Sequence, residues 1–313
     1  MTPKDPVPRT DSSSNGGEEA TMTSVKEDAT GAQPSSSSSS SCLPPTDMLY
    51  MTYEGNWWTE CQASVLQVQT DAEKKVYVTL DRTVMHAQGG GQPTDKGVLV
   101  KQQDTTTAAA AAAVACLQVE KVTMDRTTGI ATHAGTWKVP DQCFEVGDSV
   151  HVQVDKDTRQ ILSECHTAGH VVDSAMAKCG KFLKPAKAYH FLEGPYVEYE
   201  GTLDAQEKTT LLEKLQQAFH ELVQQDIPTE IALLSVQDAD ELCNRQAQNF
   251  DMNMFQDTRT REIRVVTVAG FPCPCGGTHV RSTGELRQRQ WGITKLQSKK
   301  GIVRVKYGQN TKK

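Results

Sequence analysis

The stretch FPCPCGGTHV, residues 271–280, sets a thiol and an imidazole four residues apart, Cys275 and His279, in a segment that two prolines and two glycines constrain to a turn. About a hundred residues earlier, HTAGHVV places His166 and His170 at i, i+4, a spacing that brings two imidazoles onto one face of a helix. Two histidines from a helix with one cysteine and one histidine from a turn make a tetrahedral set of three nitrogens and one sulfur, the donors that zinc favours. His166, His170, Cys275 and His279 are therefore the expected ligands of one Zn²⁺ per chain. A metalloprotease is excluded at one position: that chemistry needs HExxH, and Thr167 stands where the glutamate would be. Cys273 and Cys165 are read as structural thiols that shield the site, Cys165 pointing off the shared helix face.

Working outward, IRVVTVAG reads as a buried strand running into the Cys/His turn, and ITKLQSKKGIVRVKYG as a closing hairpin. RQILSECHTAGHVVDSAMAKC carries an apolar helical stripe, with Asp157 or Thr158 as its cap. YHFLEGPYVEYEG reads as two strands around a turn at Gly194 and Pro195. AQEKTTLLEKLQQAFHELVQQ has Leu211, Leu212, Leu215, Phe219, Leu222 and Val223 at helical spacing. TEIALLS is a strand and DADELCNRQ a short helix. Residues 156–310 are thus expected to form an α+β domain in which a sheet backs one or two helices.

Upstream the period changes to two. CQASVLQVQ, KVYVTLD, CLQVEKVT, ATHAGTW and DSVHVQVD read as half-buried strands, which predicts a small β-barrel domain over residues 48–155. Within it MHAQGGGQPTDKGVLV holds three consecutive glycines. Gly89, Gly90 and Gly91 allow backbone N–H groups to approach a ligand, with Gln88, Gln92 and Asp95 at the rim. The loop lacks the GK[ST] ending of a phosphate P-loop. Residues 1–47 are Ser-rich, lack periodic apolar positions and are expected to be disordered. Residues 105–115 are a Thr/Ala tract expected in a surface loop.

The 313 residues suffice for two cores. The net charge of −6 is mostly the tail's, whereas residues 281–313 carry ten Lys or Arg against Glu285 alone, a basic end suited to phosphates. Nine cysteines without framework spacing suit a reducing compartment. No apolar run approaches the roughly 20 residues of a membrane helix, and no signal peptide is apparent, so a cytoplasmic location is expected.

Taken together, HTAGHVV, KAYHFLEGPYVEYEG, IRVVTVAGFPCPCGGTHV with TGE after it, and HAQGGGQPTDKG resemble the AlaX family, free-standing relatives of the editing domain of alanyl-tRNA synthetase. The resemblance spans residues 50–307 in order, and an end near Gly308 suggests the medium-length type. It implies a small β-barrel followed by an α+β editing domain, zinc on His166, His170, Cys275 and His279, and a substrate-binding glycine motif over residues 88–92. Met85 and Ala87 stand where the motif usually has an aromatic and a proline. The implied activity is hydrolysis of the ester of seryl-tRNA(Ala), with glycyl-tRNA(Ala) as a further substrate to consider, and the implied partner is the acceptor end of tRNA(Ala); no DNA is expected.

Such a reaction needs oxyanion donors, for which the backbone N–H groups of Gly89, Gly90 and Gly91 or of Gly276, Gly277 and Thr278 are candidates. It must also spare alanine, which is smaller than serine. A site that hydrogen-bonds the serine hydroxyl rejects the analogue lacking it by on the order of 10⁴-fold. Thr167, Gln88 and Thr278 are the catalytic candidates for that contact, and Gly89, Gly90, Gly91, Gln92 and Asp95 the substrate-binding ones. Two alternatives share these motifs: a deacylase for another aminoacyl-tRNA, as in the editing domain of threonyl-tRNA synthetase, and a non-catalytic, zinc-stabilised tRNA-binding module.

Overall fold

Alternation of apolar and polar residues builds the first half of the chain. The computed structural model describes residues 43–102, 114–139, 142–245, 249–257 and 260–309, so the expectations for residues 1–42 and for most of the Thr/Ala tract lie outside them. Residues just ahead of Met48 already belong to the fold. Thr46 is buried, its hydroxyl donating to Leu80 O and accepting from Ala131 N–H, and β1 (Asp47–Met48) pairs with β4 (Arg82–Thr83).

Six strands close a barrel in the order β2-β3-β7-β6-β5-β8: β2 (Glu60–Thr70), β3 (Val76–Leu80), β5 (Gly97–Lys101), β6 (Cys116–Met124), β7 (Ala131–Trp137) and β8 (Ser149–Val154). Strand β2 serves two neighbours, β8 through Glu60 to Ser64 and β3 beyond Val65, and the register shifts between Val65 and Gln67. Such a bulge bends a strand and lets the sheet curl. Val65, Val78, Leu80, Leu99, Leu117, Val119 and Val152 fill the interior. Strand β5 corrects the sequence reading, which left GVLV in the glycine loop; it follows that loop directly and closes the barrel against β6 and β8.

Helix α1 (Lys156–Lys178) leaves the barrel at the end of β8. Its cap is Asp155, whose carboxylate accepts Thr158 N–H at 2.9 Å, rather than Asp157 or Thr158; Asp155 is still extended, so the turn starts one residue after it. The helix is buried over most of its length. It packs with α2 (Ala205–Gln224) on one face of an antiparallel sheet ordered β14-β15-β10-β9, made of β9 (Pro185–Tyr189), β10 (Tyr196–Glu200), β14 (Trp291–Lys299) and β15 (Ile302–Gln309). Strand β9 ends at Tyr189, where the sequence reading placed its start.

There is also a second sheet, β11-β12-β13, from β11 (Glu230–Leu234), β12 (Ile263–Val268) and β13 (Phe271–Pro274), with the short helix α3 (Val236–Cys243) against it. Residues 271–274 are therefore a strand paired with β12, and the expected turn begins only at Cys275. The result is a mixed α+β fold with a six-stranded barrel and few helices.

Candidate metal centre

The expected ligands converge. His166 and His170 come from α1, Cys275 and His279 from the turn after β13; all four are buried, and their donor atoms lie within 4.8 Å of one another. Cys275 Sγ is 3.4 Å from His166 Nε2 and 3.4 Å from His279 Nε2. Tetrahedral zinc bonded at about 2.3 Å to sulfur and about 2.05 Å to nitrogen would hold them about 3.6 Å apart. Burial, reinforced by mutual repulsion among the imidazoles, holds His166 and His279 far below the ordinary histidine range, and His170 is lowered to about 4 by burial and then by Arg264. All three are thus neutral bases with free lone pairs. Burial raises the Cys275 thiol, opposed by the Arg264 guanidinium and by Gly277 N–H. His170 Nδ1 is buried without a hydrogen-bond partner among the described residues. Three neutral imidazoles, one of them with an orphan nitrogen, around a buried thiol whose ionisation a bound cation would favour form a group that can hold a metal ion.

The outer nitrogens are fixed by residues from distant elements. Gln92 Oε1 accepts from His166 Nδ1 at 2.6 Å and from Thr278 N–H at 2.9 Å, while its Nε2 donates to Thr278 Oγ1 at 2.9 Å. That bond selects the tautomer in which His166 Nε2 faces the cluster. With His279 Nε2 turned to Cys275, its Nδ1 is left to donate to Thr167 Oγ1 at 3.1 Å, an oxygen that also accepts Val280 N–H. Gly277 stands where a Cβ would run into the His166 ring and lie 2.6 Å from Gln92 Oε1. Both threonines and Gln92 are wholly buried.

Other residues around the centre were not singled out from the sequence. Asn56 brackets His279, accepting its N–H and donating to its carbonyl, and the Trp57 indole donates to the same carbonyl at 2.9 Å. Arg264 Nη1 donates to Cys275 O at 2.6 Å and Nη2 to Asn56 Oδ1. An arginine inside the apolar run IRVV was the one available signal for it. His190 is buried with its ring stacked on His166 at 4.1 Å, and its Nδ1 meets Tyr307 Oη at 2.6 Å.

The glycine loop lies beside this group. Gly89 and Gln92 bond to each other through both backbone groups, Gly90 and Gly91 have φ of 56° and 81°, and a Cβ on Gly91 would sit 2.6 Å from Ala188 O. Gly91 O accepts His190 N–H. Gly89, Gly277 and Thr278 N–H groups are thus engaged, whereas those of Gly90, Gly91 and Gly276 have no partner among the described residues. Gln88 is exposed. Asp95 is not at the rim: it is wholly buried, its carboxylate paired with Arg159 and accepting His86 N–H at 2.6 Å, so it anchors the base of the loop to α1. Cys165 donates to His190 O and Cys273 stays outside the cluster. No helix among the described residues is long and apolar enough to cross a membrane.

Comparison with known proteins adds two family matches. Residues 11–158 match the family described as tRNA synthetases class II (A), and residues 263–306 match the threonyl and alanyl tRNA synthetase second additional domain. The first match contains the glycine loop and the second contains Cys275 and His279; the first also begins well inside the tail that the motif resemblance left out. Alanine–tRNA ligase of Pyrobaculum aerophilum is 28% identical over 270 residues, covering 83% of this chain and 26% of the ligase. The ligase of Pyrobaculum calidifontis is 29% identical over 255 residues (78% and 25%), and that of Microcystis aeruginosa 25% over 235 residues (74% and 24%). The chain spans about a quarter of the length of these curated relatives.

Proposed function

We propose, from the premise that this chain is an AlaX-like editing domain related to alanyl-tRNA synthetase, that it hydrolyses the ester of mischarged seryl-tRNA(Ala) in trans and so protects translation fidelity. The observation that carries the reading is the joining of the two matched regions at one buried centre, where Gln92 of the glycine loop hydrogen-bonds both His166 and Thr278. On this reading residues 48–155 and 156–310 are a barrel domain and an editing domain, and nine cysteines, of which the eight described are all free, suit a cytoplasmic protein.

An aminoacyl ester is already reactive, so the chain's task is placement. Water adds to the ester carbonyl carbon, the carbonyl oxygen becomes an oxyanion, and the bond to the ribose oxygen then breaks. That oxygen takes the proton given up by the water, releasing serine and free tRNA. The unpartnered N–H groups of Gly90, Gly91 and Gly276 are the donors available to the oxyanion. Zn²⁺, the ion this donor set favours, would be held by His166, His170, Cys275 and His279 and would supply a Lewis-acidic charge at the centre. Thr167 and Thr278 act through the groups they hold, since their hydroxyls are engaged, which leaves, of these three, the exposed Gln88 as the remaining candidate for contact with a serine hydroxyl.

The test is hydrolysis of seryl-, glycyl-, alanyl- and threonyl-tRNA by protein of measured zinc content, beside Cys275→Ala. Loss of seryl-tRNA(Ala), with alanyl-tRNA(Ala) spared and Cys275→Ala inactive, is the expected result. No hydrolysis of any ester by zinc-loaded protein would refute it and favour the tRNA-binding module. Preferred cleavage of threonyl-tRNA would move the substrate to another branch.

A further inference from the structure

His190 is outside the group of four metal-ligating side chains, yet its position beside them is fixed from several directions. Strand β9 ends at Tyr189, and the backbone of the next residue is pinned twice: His190 N–H donates to Gly91 O at 2.8 Å, and its carbonyl accepts from the Cys165 thiol at 3.3 Å. The ring stacks on His166 with centroids 4.1 Å apart and planes 24° apart, and Nδ1 meets Tyr307 Oη at 2.6 Å. Two glycines make room for it. A Cβ on Gly169 of α1 would lie 2.4 Å from His190 Cε1, and a Cβ on Gly91 would lie 3.3 Å from its Cδ2. Nε2 is the ring atom between those two carbons, so it emerges between the helix and the glycine loop, beside the unpartnered Gly91 N–H. His190 is only 3% exposed. Its Nε2 has no hydrogen-bond partner among the described residues, where the unpartnered side-chain nitrogens and oxygens closed off from solvent are His170 Nδ1 and Thr229 Oγ1. Nε2 therefore opens onto accessible space.

We propose that His190 Nε2 hydrogen-bonds the hydroxyl of the serine carried by the substrate and so determines selectivity against alanine; the inference rests on the reading of the chain as a deacylase of seryl-tRNA. Strong rejection of the smaller amino acid arises when the wrong substrate leaves a polar group of the site buried and unpaired. Gln88 is exposed, so water pairs it whichever amino acid is present. His190 Nε2 belongs to a buried ring, and an alanyl methyl set against it would exclude water and offer no partner. A hydroxyl both donates and accepts, so it pairs with Nε2 in either tautomer, and the contact requires no proton transfer. The placement also suits the ester. A serine hydroxyl is three bonds from the carbonyl carbon, and Gly91 N–H, a donor available to the oxyanion, belongs to the residue packed against the same ring.

The probes are two RNA hairpins with a four-nucleotide 3′ overhang, whose terminal adenosine carries serine or alanine through a stable amide in place of the ester. Affinity for the zinc-loaded full chain is read by fluorescence anisotropy, and the seryl hairpin is expected to bind more tightly. An asparagine amide reaches the position of Nδ1 and a glutamine amide that of Nε2, so two variants separate the nitrogens of the ring. His190→Asn should cut seryl affinity by about 10- to 100-fold and leave alanyl affinity unchanged, whereas His190→Gln should retain most of the preference. A purely structural ring predicts the opposite order, since asparagine can keep the Tyr307 contact and glutamine loses it, and would weaken both hairpins together. Circular dichroism and zinc content establish that each variant is folded and loaded. Equal affinity of the unaltered protein for the two hairpins, a seryl preference unmoved in folded His190→Asn, or a loss common to both hairpins overturns the inference. Because the amide is not cleaved, that failure beside rapid seryl-ester hydrolysis would leave the hydrolase standing, and a His190-dependent seryl preference without ester hydrolysis would do the reverse.

Discussion

Gln92 and Thr167 hold the outer nitrogens of His166 and His279. Groups of this kind around a metal ligand typically contribute 10- to 100-fold in affinity. Gln92→Ala is therefore expected to weaken zinc binding by about that factor in a chelator competition, and Gln92→Glu, which keeps an acceptor, to recover part of it. Thr167→Val removes an oxygen that accepts Val280 N–H as well as the His279 ring, leaving buried donors unpaired. A loss of about 1–3 kcal/mol in urea unfolding is expected. Unchanged stability would mean that His279 finds another acceptor. If Thr167→Val also still cleaves seryl-tRNA and spares alanyl-tRNA, Thr167 has no part in selectivity.

Elements meet at the base of the glycine loop, where the buried Asp95 carboxylate ties Arg159 of α1 to His86 N–H, and Arg159 Nη2 also donates to Val84 O at 2.7 Å. Removing one member strands the other charge, which costs about 3–5 kcal/mol, whereas replacing both with apolar residues of similar volume is far milder. Asp95→Ala should accordingly destabilise more than Asp95→Leu combined with Arg159→Met in chemical denaturation. The order reversed would show that the pair contributes little beyond packing. This contact also explains why Asp95 could not be read from spacing alone. A polar residue two positions from a proline looks like a loop rim, and only the approach of α1, sixty-four residues on, turns it into an anchor.

For the whole molecule, pH acts through buried neutral histidines. His133 sits in the barrel, its Nδ1 at 3.2 Å from Val78 O and its Nε2 at 2.9 Å from Thr83 Oγ1, and burial lowers it to about 4; His86, beside the barrel core, is lowered likewise. Unfolding lets each take a proton below about pH 6.5, so the unfolded state binds more protons between pH 4 and 6.5 and stability falls as pH drops through that window. For His133 alone the loss is at most about 3 kcal/mol, and His133→Gln should flatten the slope of unfolding free energy there by a matching amount. An unaltered slope would place the acid sensitivity elsewhere.

At this scale the division between sequence and tertiary structure is also clearest. Sequence by itself singled out the four residues that converge as a group able to hold a metal ion, because i, i+4 on a helix and a four-residue gap across a glycine turn are local geometries that need no partner to be legible. It likewise determined most barrel strands and the two long helices, whose hydrophobic periods are two and 3.6. Tertiary structure decided barrel closure through β5, the splitting off of β11, β12 and β13 as a second sheet, and the roles of Asn56, Arg264 and His190. Asn56 meets His279 across 223 residues, and His190 meets Tyr307 across 117. Contacts at such separations depend on which strands pair and how helices pack between them, information that no window of local spacing contains.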